Sequence, residues 1–149
     1  MTKNVVFLTG KSIGTGASDC IHLYRRIASF EKCGDVSIIT QSTETYPEQA
    51  GCKRVVHLGL NKDSQDAAAD MTMKADLFFV VGMAPTTVPS ASLLALTKQD
   101  CCIAIIHKGN LEMPQDVHRE NVLKMRDMSV GTGLMFLSMY RWMMDIIEE

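Results

Sequence analysis

The stretch Thr9-Gly-Lys-Ser-Ile-Gly-Thr-Gly-Ala-Ser-Asp19 carries glycines at 10, 14 and 16, a lysine at 11 and a hydroxyl at 12. Glycines let a backbone turn tightly and approach an anion, and a lysine among them adds positive charge. Gly10, Lys11, Ser12, Gly14 and Gly16 therefore form a candidate phosphate loop, with Asp19 at its far end. The spacing matches neither familiar fingerprint. Position 5, where a P-loop would need a glycine, is Val5, and the glycines at 10, 14 and 16 do not fit G-x-G-x-x-G. A plain glycine turn stays open as the alternative. Three further clusters of polar or small residues could meet a ligand: Gln41, Ser42 and Glu44; Gly82, Met83 and Ala84; and His107 with Asn110. The four histidines, His22, His57, His107 and His118, show no metal-like spacing. The five cysteines, Cys20, Cys33, Cys52, Cys101 and Cys102, form no C-x-x-C pair. We expect no metal site, no disulfide framework and a reducing, cytoplasmic compartment.

Each cluster follows a short apolar run. The runs are Asn4-Val-Val-Phe-Leu-Thr9, Asp35-Val-Ser-Ile-Ile-Thr40, Arg54-Val-Val-His-Leu58, Asp76-Leu-Phe-Phe-Val-Val81 and Cys101-Cys-Ile-Ala-Ile-Ile106, with a weaker sixth at Asn121-Val-Leu-Lys-Met125. Near-continuous apolar character over so few residues predicts strands covered on both faces. The intervening stretches read as helices. Ser18 or Asp19 is placed to cap one that runs to about Lys32, with Ile21, Tyr24, Ile27 and Ala28 on one face. A second spans Asp63 to Met73, and Pro89 suits the first turn of a third. This alternation predicts an α/β fold: a doubly wound, mostly parallel sheet of about six strands with helices on both faces, formed by residues 1–149 as a single domain. Ligands of such sheets bind beyond the carboxyl ends of the strands, where all four clusters fall.

A helix from about Thr132 to Ile147 would carry only a narrow, mostly polar stripe, Leu134, Ser138, Arg141 and Asp145. The rest of its circumference includes Met139, Trp142, Met143 and Ile146, more than the ~100° arc a sheet covers. Either it is sunk between the sheet and another helix, or part of it joins a second copy in a homodimer. A net charge of -2 and 21% charged residues give no global case for nucleic acid or acidic lipid. No apolar run approaches the ~18 residues a membrane span needs, and the N-terminal run is too short for a signal peptide.

Taken in order along the chain, several pieces resemble the sirtuin family. Sirtuins open with T-G-A-G-I-S and S-G-I-P-D, continue with I-T-Q-N-x-D-x-L-H-x-x-A-G, and later carry A-D-L-x-x-V-I-G-T-S-L-x-V-x-P-x-A. Here Thr9-Gly10, Thr15-Gly-Ala-Ser-Asp19, Thr40-Gln41, Ala50-Gly51, Ala75-Asp76-Leu77, Gly82, Val88-Pro89 and Ala91 fall in matching order and spacing, once two residues are deleted from the opening loop. The resemblance implies a Rossmann-like core and a site for NAD, ADP-ribose or another adenine nucleotide. It places that site at residues 10–19, 41–44, 82–86 and 107–110. It also implies that His107, or Asn110 beside it, stands where the family contacts the adenosine ribose.

The departures bear on activity. The family's Asn and Asp become Ser42 and Glu44, and the position of its catalytic histidine is Pro47, which has no titratable group. Gly82-Met83-Ala84 replaces G-T-S and loses two hydroxyls. The zinc cysteines and the insert that carries them are absent, and the resemblance implies that the acyl-lysine tunnel is missing with them. We therefore expect a nucleotide binder or sensor without lysine deacetylase activity. Two alternatives stay open: a degenerate NAD glycohydrolase or ADP-ribosyl-transfer enzyme using Glu44, Ser42 or Asp19, and an interaction subunit working through the Met-rich C-terminal helix. Fold likeness alone does not choose between them.

Overall fold

A computed structural model describes residues 3–10, 17–32, 34–59, 61–126 and 141–146. Six strands form one sheet: β1 (Asn4–Thr9), β2 (Asp35–Thr40), β3 (Val55–His57), β4 (Leu77–Val81), β5 (Cys102–Ile106) and β6 (Val122–Met125). The helices are α1 (Ala17–Ala28), continued by a 3-10 turn at Ser29–Lys32, α2 (Tyr46–Gln49), α3 (Lys62–Lys74) and α4 (Ser90–Leu94). Residues 141–146 are also helical. The spatial order is β3-β2-β1-β4-β5-β6, and every neighbouring pair is parallel. This is the doubly wound, Rossmann-like arrangement expected from the strand–helix alternation.

The sheet is buried on both faces, which is why its central strands are apolar at nearly every position. Val5, Phe7, Ile38, Leu77, Phe79, Ala104 and Ile106 point to one side, against Leu23, Tyr24 and Ile27 of α1 and Phe30 of the 3-10 turn. Val6, Leu8, Ile39, Phe78, Val80, Ile103 and Ile105 point to the other, against Ala68 of α3 and Leu93 and Leu94 of α4. The alternation along each strand is thus between two cores rather than between core and water.

Two local expectations are corrected. Ser18 and Asp19 do not cap α1, because the helix has already begun at Ala17. Asp19 lies in the first turn, where a carboxylate meets the helix's unpaired N–H groups. On the same helix Cys20 and Leu23 join Tyr24 and Ile27 in the core, whereas Ile21 is only half-buried.

For the C-terminal helix, the described residues fit the first of the two readings, a helix sunk against the sheet. Trp142, Met143 and Ile146 face the sheet. Met143 is fully buried, and Trp142 and Ile146 pack against the same cluster. Trp142 meets Phe79 edge-on at 5.6 Å and 86°, and its Nε1 donates to Asn121 Oδ1 at 3.3 Å. Arg141 and Asp145 are exposed. Met139, Leu134 and Ser138 lie outside the described residues. Self-association through this helix would have to use side chains other than these three inward ones.

Asp76 ties the amino ends of three strands together. Its carboxylate accepts from the Asn4 amide at 2.8 Å and from Lys98 Nζ at 2.6 Å, while its own amide donates to Asn4 O and its carbonyl accepts from the Cys102 amide. Partial burial works against the charged form, but Lys98 and the Asn4 N–H outweigh it and hold the carboxyl below its ordinary 3.8. The folded value is depressed, so this contribution is complete above the ordinary value and is lost as pH falls through the folded one. Asp76→Ala should cost roughly 1.5–3 kcal/mol at neutral pH. In urea unfolding from about pH 6 down to about pH 2, the gap to wild type should close only below the ordinary carboxylate range. A gap of constant size would show that the charge of Asp76 is not what matters.

Candidate functional site

The strand order reverses between β1 and β4. The connection from β1 to β2 runs through α1 on one face of the sheet and that from β4 to β5 through α4 on the other, so the loops after β1 and β4 part in opposite directions. In this architecture the usual ligand position is the crevice at such a reversal, at the carboxyl edge. Gly10 closes β1 there, its amide bonded to Val81 O at 3.1 Å. A Cβ on Gly10 would lie 2.8 Å from the carbonyl oxygen of Gly82, so no other residue fits without moving backbone. Gly82 closes β4 with φ +77°, a left-handed conformation that favours glycine, and its amide bonds to Ile106 O at 2.8 Å. On the flanks, the Gln41 amide bonds to Thr9 O at 3.2 Å and the His107 amide to Met125 O at 3.2 Å. The structure thus brings Gly10, Gln41, Gly82 and His107 side by side on four adjacent strand ends.

The other residues picked out in the sequence fare differently. Lys11, Ser12, Gly14 and Gly16 lie outside the described residues. Ser42 and Glu44 sit in the loop after β2. The Ser42 amide donates to Thr40 Oγ1 at 3.1 Å, and its hydroxyl accepts from the Glu44 amide at 3.1 Å, which leaves the Glu44 carboxylate exposed. No histidine contacts the Ser42 hydroxyl, so among the described residues it has no base to activate it. Asp19 is exposed on α1.

Met83 departs from expectation: its side chain is buried in the core beneath α4, so only its backbone is available to a ligand. Ala84 is half-buried, and its carbonyl accepts from Thr87 Oγ1 at 3.0 Å. His107 packs so closely on Gly109 that a Cβ there would meet its Nε2 at 2.7 Å. Burial first, then Lys108 and Arg126, push its pKa down, so its ring is neutral near pH 7. Asn110 is exposed, and its side-chain oxygen accepts from the Glu112 amide at 2.9 Å.

Two features of this edge were not singled out from the sequence. Thr9 and Thr40 are register partners on β1 and β2, both fully buried, and Tyr24 of α1 lies between them. Its hydroxyl is 2.7 Å from Thr9 Oγ1 and 3.4 Å from Thr40 Oγ1. Burial raises the phenol pKa despite these bonds, so Tyr24 stays protonated and anchors α1 to the floor of the crevice. The second feature is His57, whose ring nitrogens lie 2.7 Å from Ser42 O and 2.7 Å from Glu48 Oε2. Pro47 is buried inside α2, where its carbonyl accepts from the Cys52 amide at 3.0 Å. The thiols of Cys52 and Cys101 are each pushed up to about 12, chiefly by burial, and are not poised for reaction. No group of three or more His, Cys, Asp or Glu side chains among the described residues could hold a metal ion.

The sequence matches no family model and no curated protein. Solved structures do match. A Sir2 structure with acetylated peptide superposes with a TM-score of 0.68 at 18% identity, over 97% of this chain and 93% of that one. A Sir2 complex with a p53 peptide and NAD+ gives 0.66 at 17% identity, over 97% and 93%. An ADP-ribose complex of a Sir2 homologue carrying a point substitution gives 0.69 at 18% identity, over 99% and 94%. The fold is sirtuin-like, as the ordered motif resemblance implied. At these identities the likeness defines the fold and leaves the activity to be argued from the residues.

Proposed function

We propose that this chain binds NAD, ADP-ribose or a related adenine nucleotide in the crevice between β1 and β4, and that it does not deacylate lysine. The observation that carries the reading is the glycine pair Gly10 and Gly82. The two close adjacent strands where the strand order reverses, Gly10 because a Cβ would strike the Gly82 carbonyl and Gly82 because its φ is left-handed, and a backbone without side chains suits a phosphate. The solved structures of the same fold that hold NAD+ or ADP-ribose support the choice of ligand. Against deacylation stands Pro47, a buried helical residue where the resemblance expects a catalytic histidine.

Thermal melting tests the binding. A ligand that binds only the native state stabilises it by about 2.7 kcal/mol at a hundredfold excess over Kd, a shift of several degrees for a domain of this size. NAD or ADP-ribose should give that shift. If NAD, ADP-ribose, ADP and ATP at millimolar concentration all leave the melting curve unmoved, the reading is wrong. The same preparation, incubated with NAD and an acetylated peptide, should show only background turnover, and nicotinamide release without peptide would instead mark a glycohydrolase.

A further inference from the structure

His57 ends β3 beside the loop that carries Gln41, Ser42 and Glu44. Its side chain is only 11% exposed, and each ring nitrogen has an oxygen at 2.7 Å. Both oxygens are acceptors: the Ser42 carbonyl has no proton to give, and neither has the Glu48 carboxylate when ionised. A neutral imidazole has one N–H and can serve one of them. An imidazolium has two and serves both, with the Glu48 charge compensating its own. The loop is otherwise held by the bonds from the Gln41 amide to Thr9 O and from the Ser42 amide to Thr40 Oγ1, so His57 supplies a third attachment, the one that links the loop to β3 and α2.

We infer that His57, as imidazolium, is a positioning residue that clamps the 41–44 loop between β3 and α2, so that nucleotide binding in the adjacent crevice weakens as the ring loses its proton. The link to binding rests on the nucleotide reading above; the clamp itself does not. The charged and titratable groups on the elements around the ring, among the described residues, are Glu44 in the loop, Tyr46 and Glu48 of α2, Asp35 of β2, Arg54 before β3, and Lys62, Asp63, Asp66, Asp70 and Lys74 of α3. Of these, Glu48 is the one whose charge acts on it. Burial pulls the ring's pKa down, but the Ser42 carbonyl and Glu48 outweigh it, and the folded value lies above the ordinary 6.5. The contribution of the clamp is therefore complete below 6.5 and is lost as pH rises through the folded value.

The experiment is an NMR pH titration of the full chain without nucleotide, paired with NAD binding followed by melting at about pH 6 and about pH 8.5, a span over which histidines commonly change charge. The His57 ring should titrate above 6.5, the amides of residues 42–45 should follow its curve, and Glu48→Gln should lower its midpoint. A ring that titrates at or below 6.5, or amides that ignore it, would overturn the clamp. NAD affinity should fall several-fold between the two pH values in wild type and stay flat in His57→Gln. An equal fall in both proteins would overturn the link to binding. If NAD shifts nothing at either pH, the nucleotide reading fails and the link with it, while the amide titration still decides the clamp.

Discussion

Met143→Glu should unfold the protein. Met143 is 0% exposed and lies in the core that joins the C-terminal helix to β1, β4 and α1. A carboxylate there has no partner. It must either stay charged in an apolar site or take up a proton, and both courses cost several kcal/mol. That loss is comparable with the whole stability of a domain, about 5–15 kcal/mol. Met143→Leu, which roughly conserves volume, should cost less than about 1.5 kcal/mol and separates charge from shape. Circular dichroism melting distinguishes the outcomes. The Glu variant should lose its near-ultraviolet signal or melt far below wild type, whereas the Leu variant melts close to it. If Met143→Glu melts like wild type and sediments at a lower mass, the side chain faces a second copy and the packing described here is wrong.

Phe79→Ala should be the most damaging of the uncharged truncations. Phe79 and Phe7 are register partners on β4 and β1, stacked at 4.4 Å and 7°, and Phe30 stacks on the far side of Phe7 at 5.7 Å. Trp142 completes the row edge-on. One ring thus links two central strands to the C-terminal helix. Its removal leaves a cavity that neither strand can close, since both are fixed by their ladders. The cost should be about 3–5 kcal/mol, and Phe79→Leu should cost less. Urea unfolding checks this with a built-in reporter, because Trp142 is the only tryptophan in the chain. Its emission should shift to the red in the folded Ala variant as water reaches the indole. A loss under about 1 kcal/mol would mean that the ring row does not hold the helix.

Several elements were legible in the sequence to the residue. Asn4–Thr9 and Asp35–Thr40 are strands with the expected ends, because an apolar run bounded by polar residues marks both the burial and the limits of a central strand. Gly10, Gln41, Gly82 and His107, the first residues of the four clusters, fell at one edge for the same reason, since a parallel sheet sends every strand end the same way. The ordered motifs pointed to the right fold, although not every matching piece lies at the candidate site. Asp76 belongs to a matching motif yet sits at the amino edge as a strand tie, on the opposite side of the sheet from the crevice.

The sequence by itself determined the strands, their parallel direction and the glycines that must end β1 and β4, because these depend on local apolar patterning and on backbone freedom at single positions. Only the tertiary structure decided what depends on register and on facing. Thr9, Tyr24 and Thr40 become one buried hydroxyl chain because β1 pairs with β2 without offset and α1 crosses above them. His57 becomes a clamp because β3 ends opposite Thr40, which brings residue 57 to residues 42 and 48. Met143 became core rather than surface because a helix with apolar residues nearly all round has no pattern to orient it. Its facing is set by the cavity it fills against Phe79, and no local property of the chain encodes that cavity.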